Sequence, residues 1–346
     1  MPTSPSASRT SASSRSVHSR VLPTVDELLD GALGFSVPLT TRFRGTRVRE
    51  GLLLHGPVGW GEFAPFPGYG ADESARWLAS AIEAAWIGWP EPERDSVPVN
   101  AIVPAVEADE ARRLAAESGC TTVKVKVAEP GQSPDDDVSR VAAVRDALGP
   151  NGRIRVDANG AWSTEEATTA LLALAQFDLE YVEQPCTTLV ECAALRRIAA
   201  VPIAIDEGLR KADDPHRVVG LREAADVLVL KVPPLGGVRP ALAIAQTYGL
   251  PCVVSSALDT SIGLAAGLAL AASLPELTYA CGLGSGRLLT TDVCSDRLLP
   301  EEGRLRVRRP APDTHAAVAM SDGEMAAWRQ RLAAAYASLT DPIGAP

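Results

Sequence analysis

From Val97 onward the chain alternates short apolar runs with Ala/Leu-rich stretches, and no other feature restricts its fold as much. The apolar runs are "VPVNAIVPA", "TVKVKV", "RIRVDANG", "LEYVEQP", "PIAIDEG", "VLVLKVPPLGG", "PCVVSSALD" and "LTYACGLGS". Between them lie helical stretches such as "EADEARRLAAES", "SPDDDVSRVAAVRDAL" and "STEEATTALLALAQF", several opened by Ser or Pro, which favour the cap and first turn. Strands each followed by a helix pair in parallel, and eight strands with seven helices close most economically into a barrel. A doubly wound open sheet is the alternative, but no GxGxxG follows the first strand.

The stretch "TTVKVKV" then becomes informative. Alternate side chains of a strand point to opposite faces, so Val123, Val125 and Val127 share one face and Lys124 and Lys126 the other. In a barrel the outer face meets helices and the inner face meets the lumen, and both are buried. The valines suit the helices, so the lysines are expected to point inward, where two ammonium groups need anionic partners.

Anions occur at matching places. By the same parity Arg155 and Asp157 face inward in "RIRVDANG", Tyr181 and Glu183 in "LEYVEQP", Asp206 in "PIAIDEG", and Lys231 in "VLVLKVPP". The steps Lys126→Asp157→Glu183→Asp206→Lys231 are 31, 26, 23 and 25 residues, one strand–helix unit each. Five consecutive strands thus end in Lys, Asp, Glu, Asp and Lys around one mouth, the face on which barrel active sites lie. Three carboxylates suit a hard cation with oxygen ligands, Mg²⁺ above all. Zinc is disfavoured, because the histidines are His18, His55, His216 and His315 and none belongs to the set. That shortage also argues against a Ser-His-Asp hydrolase. Two lysines flanking a metal can move protons at carbon, since nearby cations and desolvation lower an ammonium pKa. Asn159 and Glu207 read either as partners that orient the ligands or as turn and cap residues.

The rest of the chain bounds the problem. Its 346 residues are 46% hydrophobic, with a formal net charge of −10 and no basic stripe, so a nucleic-acid partner is not expected. No apolar run is long enough to span a membrane, and six scattered cysteines without a CxxC pair read as the reduced thiols of a cytoplasmic protein. Residues 1–20, rich in Ser and Arg and without an apolar core, are expected to form a disordered tail. The composition of that segment also resembles an organellar transit peptide. Residues 21–97 suggest a strand meander with Gly-rich turns followed by the helix "ADESARWLASAIEAAWIGW". Residues 98–291 form the expected barrel, and 292–346 return to irregular texture plus one helix that packs back on the N-terminal part.

The series "KVKV", "RVDANGAW", "VEQP", "IDEG" and "LKVPPLGG" resembles the muconate lactonizing subgroup of the enolase superfamily, from about Val21 to the C-terminus. The resemblance implies a modified (β/α)₇β TIM barrel with an α+β capping domain. It implies Mg²⁺ (or Mn²⁺ as substitute) on Asp157, Glu183 and Asp206, with Lys126 and Lys231 as the acid/base pair and Lys124 as helper. Within the subgroup, "FRGTRVREG", "GWGEF" and "ACGLGSGRLLTTDV" look like o-succinylbenzoate synthases of the actinobacterial type. The D-x-D by which dipeptide epimerases hold a substrate ammonium is missing, and "CGLGSG" around Gly284 offers backbone N–H groups instead. Ser255 and Ser256, just before a helix from about Thr260, suggest a carboxylate site. The segment "PFPGYGADES" departs from the family, which more often carries an acidic residue near Gly68–Gly70. The implied reaction is a Mg²⁺-dependent dehydration of a small cyclohexadiene carboxylate in menaquinone biosynthesis. In it one lysine removes the proton α to a carboxylate, and either lysine fits that step. N-succinylamino acid racemization with the same residues, a metal-free Schiff-base aldolase and a non-catalytic acid-binding barrel stay open as alternatives.

Overall fold

A computed structural model describes residues 22–43, 45–313 and 320–340; the expected tail at 1–20 lies outside the described residues. The N-terminal part opens with helix α1 (Val25–Leu29), closed by a reciprocal capping box between Thr24 and Glu27. An antiparallel sheet follows, made of β1 (Leu33–Phe43), β2 (Thr46–Gly56) and β3 (Gly59–Phe63) in that order. It realises the expected meander. Helix α2 (Ala71–Ile82) crosses it and ends in a π-helical turn, Glu83–Ile87, terminated by Gly88 at φ 80°. Gly61 in β3 lets α2 approach closely: a Cβ there would lie 2.2 Å from the Ala81 carbonyl.

The first apolar run divides in two. Strand β4 (Ser96–Pro98) pairs antiparallel with the late strand β12 (Arg304–Arg306), while β5 (Ala101–Val103) starts the barrel. The parallel sheet then runs in sequence order through β6 (Thr122–Lys126), β7 (Arg153–Asp157), β8 (Leu179–Glu183), β9 (Ile203–Ile205), β10 (Val227–Leu230) and β11 (Cys252–Val254). The eighth run forms no extended strand. Cys281 bridges Val99 and Gly282 bridges Ser255, and these two residues close the curled sheet on itself. A Cβ at Gly282 would lie 2.6 Å from Ser255 Oγ, so a larger residue here would displace the Ser255 side chain.

The crossovers are α3 (Ala108–Glu117), α4 (Pro134–Leu148), α5 (Thr164–Leu174), α6 (Leu189–Arg196), the short pair α7 (Glu207–Arg210) and α8 (Leu221–Ala224), α9 (Val238–Tyr248) and α10 (Ser261–Ser273). Capping boxes at Ser133/Asp136 and Ser163/Glu166 start α4 and α5 at the serines that open those stretches, and a third at Thr188/Glu191 starts α6. Val123, Val125, Ile154, Val156, Ile203, Ile205, Leu228 and Leu230 pack outward in one cluster with the helices. A smaller cluster of Tyr181, Ala204, Val227, Val229, Val253 and Tyr279 fills the lumen. Strand parity therefore sorts in from out as expected.

After the barrel the chain returns to the N-terminal unit. Leu298 and Leu305 pack with the barrel cluster, and Val293 and Cys294 with Phe35 and Val37 of β1. Helix α11 (Asp322–Thr340) buries Trp328, Leu332 and Ala335 against Phe63, Trp77 and Leu78. Two carboxylates of the N-terminal unit cap barrel helices. Glu62 accepts from Thr260 N at 3.1 Å and Gly263 N at 3.1 Å at the start of α10. Glu83 accepts from the Val238 and Arg239 N–H groups at the start of α9. All six cysteines are free and buried. Among the described residues no helix is long and apolar enough to cross a membrane.

Candidate active site

The site grows from parallel register. Lys126 is the direct partner of Asp157, and Asp157 of Glu183, across β6, β7 and β8. Side chains in register on neighbouring strands stand side by side, so a lysine and two carboxylates form one layer at the C-terminal rim. Asp206 follows β9 and Lys231 follows β10, extending the layer. Lys231 is 2% exposed, Lys126 9%, Asp157 and Asp206 0% and Glu183 1%, so every charge here needs a partner within the protein.

Each has one. Lys126 Nζ donates to Asp157 Oδ2 at 2.6 Å and Asn159 Oδ1 at 2.5 Å, and stands 5.6 Å from the centroid of the Phe43 ring. Lys124, one layer below, bridges Asp157 Oδ2 at 3.1 Å and both oxygens of Glu183 at 3.0 and 2.9 Å. Lys231 Nζ donates to Asp206 Oδ2, and Asp206 Oδ1 accepts from Arg210 Nε at 2.9 Å. Burial works against ionisation of Asp157, but Lys126 and Lys124 hold it well below the usual carboxylate range. Burial, and then Asp157 beside it, push Glu183 upward. Lys124 is raised: burial opposes its charge, but Glu183 and Asp157 outweigh it.

The remaining expected residues sit as follows. Asn159 adopts φ 49°, donates its backbone N–H to Asp157 Oδ1 at 3.1 Å and its Nδ2 to Glu207 Oε1 at 3.2 Å. Asparagine tolerates this left-handed backbone better than most residues. Ser256 Oγ lies 2.7 Å from Ser285 Oγ, and Ser255 Oγ is 3.5 Å from the Gly282 carbonyl, both next to the barrel closure. Gly284 begins a 3₁₀ turn against Asn100, whose carbonyl would meet a Cβ there at 2.8 Å. Arg155 pairs with Lys124 and Tyr181 in register, below the carboxylate layer. It donates to Glu180 at 2.5 Å, Asn100 Oδ1 at 3.0 Å and the Ala280 carbonyl at 2.6 Å, and packs on Tyr181 and Tyr279.

Three partners escaped the sequence reading. Gln184, at φ 38°, accepts through Oε1 from Asp206 N at 3.1 Å and Gly208 N at 3.0 Å, fixing the turn that aims Asp206. Arg210 lies one helical turn after Asp206, a spacing at which an ion pair is legible once α7 is known. Tyr69 reaches Arg210 from the N-terminal unit, with the Arg210 Nη1 donating to its hydroxyl at 2.8 Å. With Phe66, Asn159 and Glu207 these two line the open mouth, about 580 Å³.

Asp157, Glu183 and Asp206 are oxygen donors on adjacent strand ends, which suits a hard ion. Among the described residues no three acidic or histidine side chains converge on one point, since Lys124 and Lys231 pair with these carboxylates. The charges are matched: Lys124, Lys126, Lys231 and Arg210 against Asp157, Glu183, Asp206 and Glu207. A doubly charged cation added to this set is offset by an anionic ligand arriving with it or by loss of lysine protons.

Comparison with known proteins places this geometry. Residues 106–312 match the family described as "Enolase C-terminal domain-like", and residues 35–85 match "Enolase N-terminal domain-like". The chain is 60% identical over 304 residues to an o-succinylbenzoate synthase of Thermobifida fusca, covering 88% of this chain and 95% of that protein. It is 52% identical over 295 residues to the o-succinylbenzoate synthase of Mycobacterium leprae, covering 85% of this chain and 87% of that protein. Among solved structures, a dipeptide epimerase from Enterococcus faecalis complexed with Mg and the dipeptide L-Leu-L-Tyr superposes with a TM-score of 0.67. That match, at 22% identity, covers 81% of this chain and 97% of the other, and shows the shared fold.

Proposed function

The chain belongs to the o-succinylbenzoate synthases of the enolase superfamily, and from that membership we propose how its site works. It is a lyase that dehydrates 2-succinyl-6-hydroxy-2,4-cyclohexadiene-1-carboxylate to 2-succinylbenzoate, a step of menaquinone biosynthesis. The proton on the ring carbon bearing the carboxylate and then the neighbouring hydroxyl are lost as the elements of one water, and the ring becomes aromatic.

Lys126 removes that ring proton and returns a proton to the departing hydroxide. Lys231, paired with Asp206, remains a cation beside the negative charge that develops between the two steps. The observation that carries these roles is the layer itself: two buried lysines flank three buried carboxylates on consecutive strand ends. Enzymes of this superfamily are generally Mg²⁺-dependent. Asp157, Glu183 and Asp206 would hold Mg²⁺ here, with Mn²⁺ as a substitute. Bound there, the ion supplies a Lewis acid for the substrate carboxylate and offsets carboxylate charge that otherwise keeps the lysines protonated. Lys124 shares Asp157 and Glu183 and tunes their charge. Asn159 and Glu207 orient Lys126 and Arg210. Ser255, Ser256 and the backbone near Gly284 are assigned to the succinyl carboxylate. The capping unit is taken as residues 21–97 with 292–346, the barrel as 98–291, and the compartment as the cytoplasm.

The test is turnover of the cyclohexadiene substrate, followed by loss of its ultraviolet absorbance, with and without chelation of Mg²⁺. A chain that leaves the absorbance unchanged at saturating Mg²⁺ sinks the assignment. A second reading, racemization of N-succinylamino acids, draws on one observation. Lys126 ends β6 and Lys231 follows β10, with three strands between them that carry the carboxylates, as two opposed bases would.

A further inference from the structure

The loop 64–70, which leads from β3 into α2, overhangs the mouth, and its backbone carbonyls are satisfied by two arginines from elsewhere in the chain. Arg49 of β2 donates to the Ala64 carbonyl and, through Nε, to the Leu258 carbonyl at 2.9 Å. Arg331 of α11 donates to three carbonyls: Pro65 at 2.9 Å through Nη1, Phe66 through Nη2, and Tyr69 at 3.2 Å through the same nitrogen. A guanidinium is suited to this task, because its planar donors reach several acceptors without reorganising. Arg331 is half-buried, with its guanidinium carbon 5.0 Å from the centroid of the Trp328 ring, and Trp328 anchors α11 in the core.

What the loop presents is Tyr69. Its ring sits edge-on to Phe66 at 5.8 Å and to Trp77 at 6.1 Å, so the hydroxyl has little freedom. That hydroxyl accepts from Arg210 Nη1 at 2.8 Å, while the other nitrogens of Arg210 donate to Asp206 Oδ1 at 2.9 Å and Glu207 Oε1 at 2.7 Å. An unbroken line of contacts therefore joins the last helix of the chain to an acidic group at the centre of the barrel mouth.

We propose that Arg331 is a positioning residue for the dehydration: it clamps loop 65–69 so that Tyr69 holds Arg210, and Arg210 in turn aims the Asp206 carboxylate. The inference rests on the assignment of Asp206 as a metal ligand. Partners that orient a ligand typically matter by about 10–100-fold in affinity or activity.

The experiment uses the full chain. Arg331→Met keeps the apolar stem against Trp328 and removes the donors; Tyr69→Phe keeps the ring and removes the hydroxyl. Steady-state kinetics are measured with the cyclohexadiene substrate, and Mn²⁺ affinity is measured without substrate by electron paramagnetic resonance. Each single variant is expected to lose about tenfold in kcat/KM and to bind Mn²⁺ more weakly by a similar factor. The double variant is expected to be no worse than the weaker single one, because both break the same line. Additive losses overturn the proposal. So does an Arg331→Met protein with a lower thermal midpoint but wild-type kinetics and Mn²⁺ affinity, which is what a purely structural arginine would give. If Arg331→Met is too unstable to purify, Arg331→Lys replaces it. Its single ammonium cannot reach three carbonyls, so the same losses are expected, and wild-type values overturn the proposal. A wild-type chain that neither turns over the substrate nor binds Mn²⁺ overturns the functional reading along with it, whereas an active wild type with equally active variants overturns only the clamp.

Discussion

Lys126 and Asp157 are direct partners across two parallel strands, and the Lys126 ammonium lies 2.6 Å from the Asp157 carboxylate. The pair is buried, so removing the Lys126 charge leaves Asp157 to Lys124 alone among the lysines that contact it. The proposed general base thus begins as the cation of an ion pair, which ties its reactivity to whatever else neutralises Asp157.

Arginine substitutions separate the two lysines. Arginine keeps the charge but is not a base near neutral pH. Lys126→Arg is expected to be inactive, and Lys231→Arg to retain measurable dehydration if Lys231 acts only as a cation. Loss of an acid–base group costs about 10²–10⁴ in rate. If both variants are dead, and wild type exchanges the α-proton of both enantiomers of an N-succinylamino acid in D₂O as fast as it dehydrates, the racemase reading replaces this one.

Neutralising one carboxylate should weaken the metal without unfolding the barrel. Glu183→Gln and Asp206→Asn are expected to abolish turnover and reduce Mg²⁺ affinity, with far-ultraviolet circular dichroism unchanged, because an oxygen donor survives but its charge does not. Calorimetric titration checks the affinity. Near-normal turnover at low Mg²⁺ in either variant would remove these residues from the ligand set.

Glu62 gives the fold a pH dependence. Burial first, and then the nearby Asp259, push its carboxyl up to about 8, against the pull of Arg49 and of the donors at Thr260 and Gly263. An acid that holds its proton more tightly when folded stabilises the native state fully below its unfolded pKa and loses that contribution as pH rises through the folded value. The thermal midpoint should therefore fall between about pH 4.5 and pH 8. Glu62→Gln should flatten that slope in a melting series, and an unchanged slope would assign it to other groups.

Leu332 tests how firmly the last helix is docked. It is fully buried in α11, in the cluster with Phe63, Trp77 and Leu78. Leu332→Ala is expected to cost about 2–5 kcal/mol in urea unfolding, the usual range for a large-to-small change in a packed core. A cost near zero would mean that α11 contributes little to folding.

Much of the site was legible because a strand has a period of two and a barrel a repeat of one strand and one helix. Parity alone assigned Lys124, Lys126, Asp157, Glu183, Asp206 and Lys231 to one interior face, and spacing put them on successive strands. The splitting of "VPVNAIVPA" into β4 and β5 was not legible, because β4 is recruited by β12, whose Leu305 is the partner of Val97. Nor was the shortness of the last barrel strand, where Cys281 and Gly282 make the closing bridges.

What the sequence by itself determined, then, is whatever depends on local periodicity: strand and helix order, the inward charges and the capped helix starts. The tertiary structure alone decided which distant groups finish those charges. Tyr69 meets Arg210 across 141 residues, Glu62 meets Thr260 across 198, and Arg331 meets Pro65 across 266. No periodic pattern links such pairs: the first two form only where the N-terminal unit packs on the barrel, the third only where α11 folds back on that unit, and the partners are chosen by the geometry of that packing.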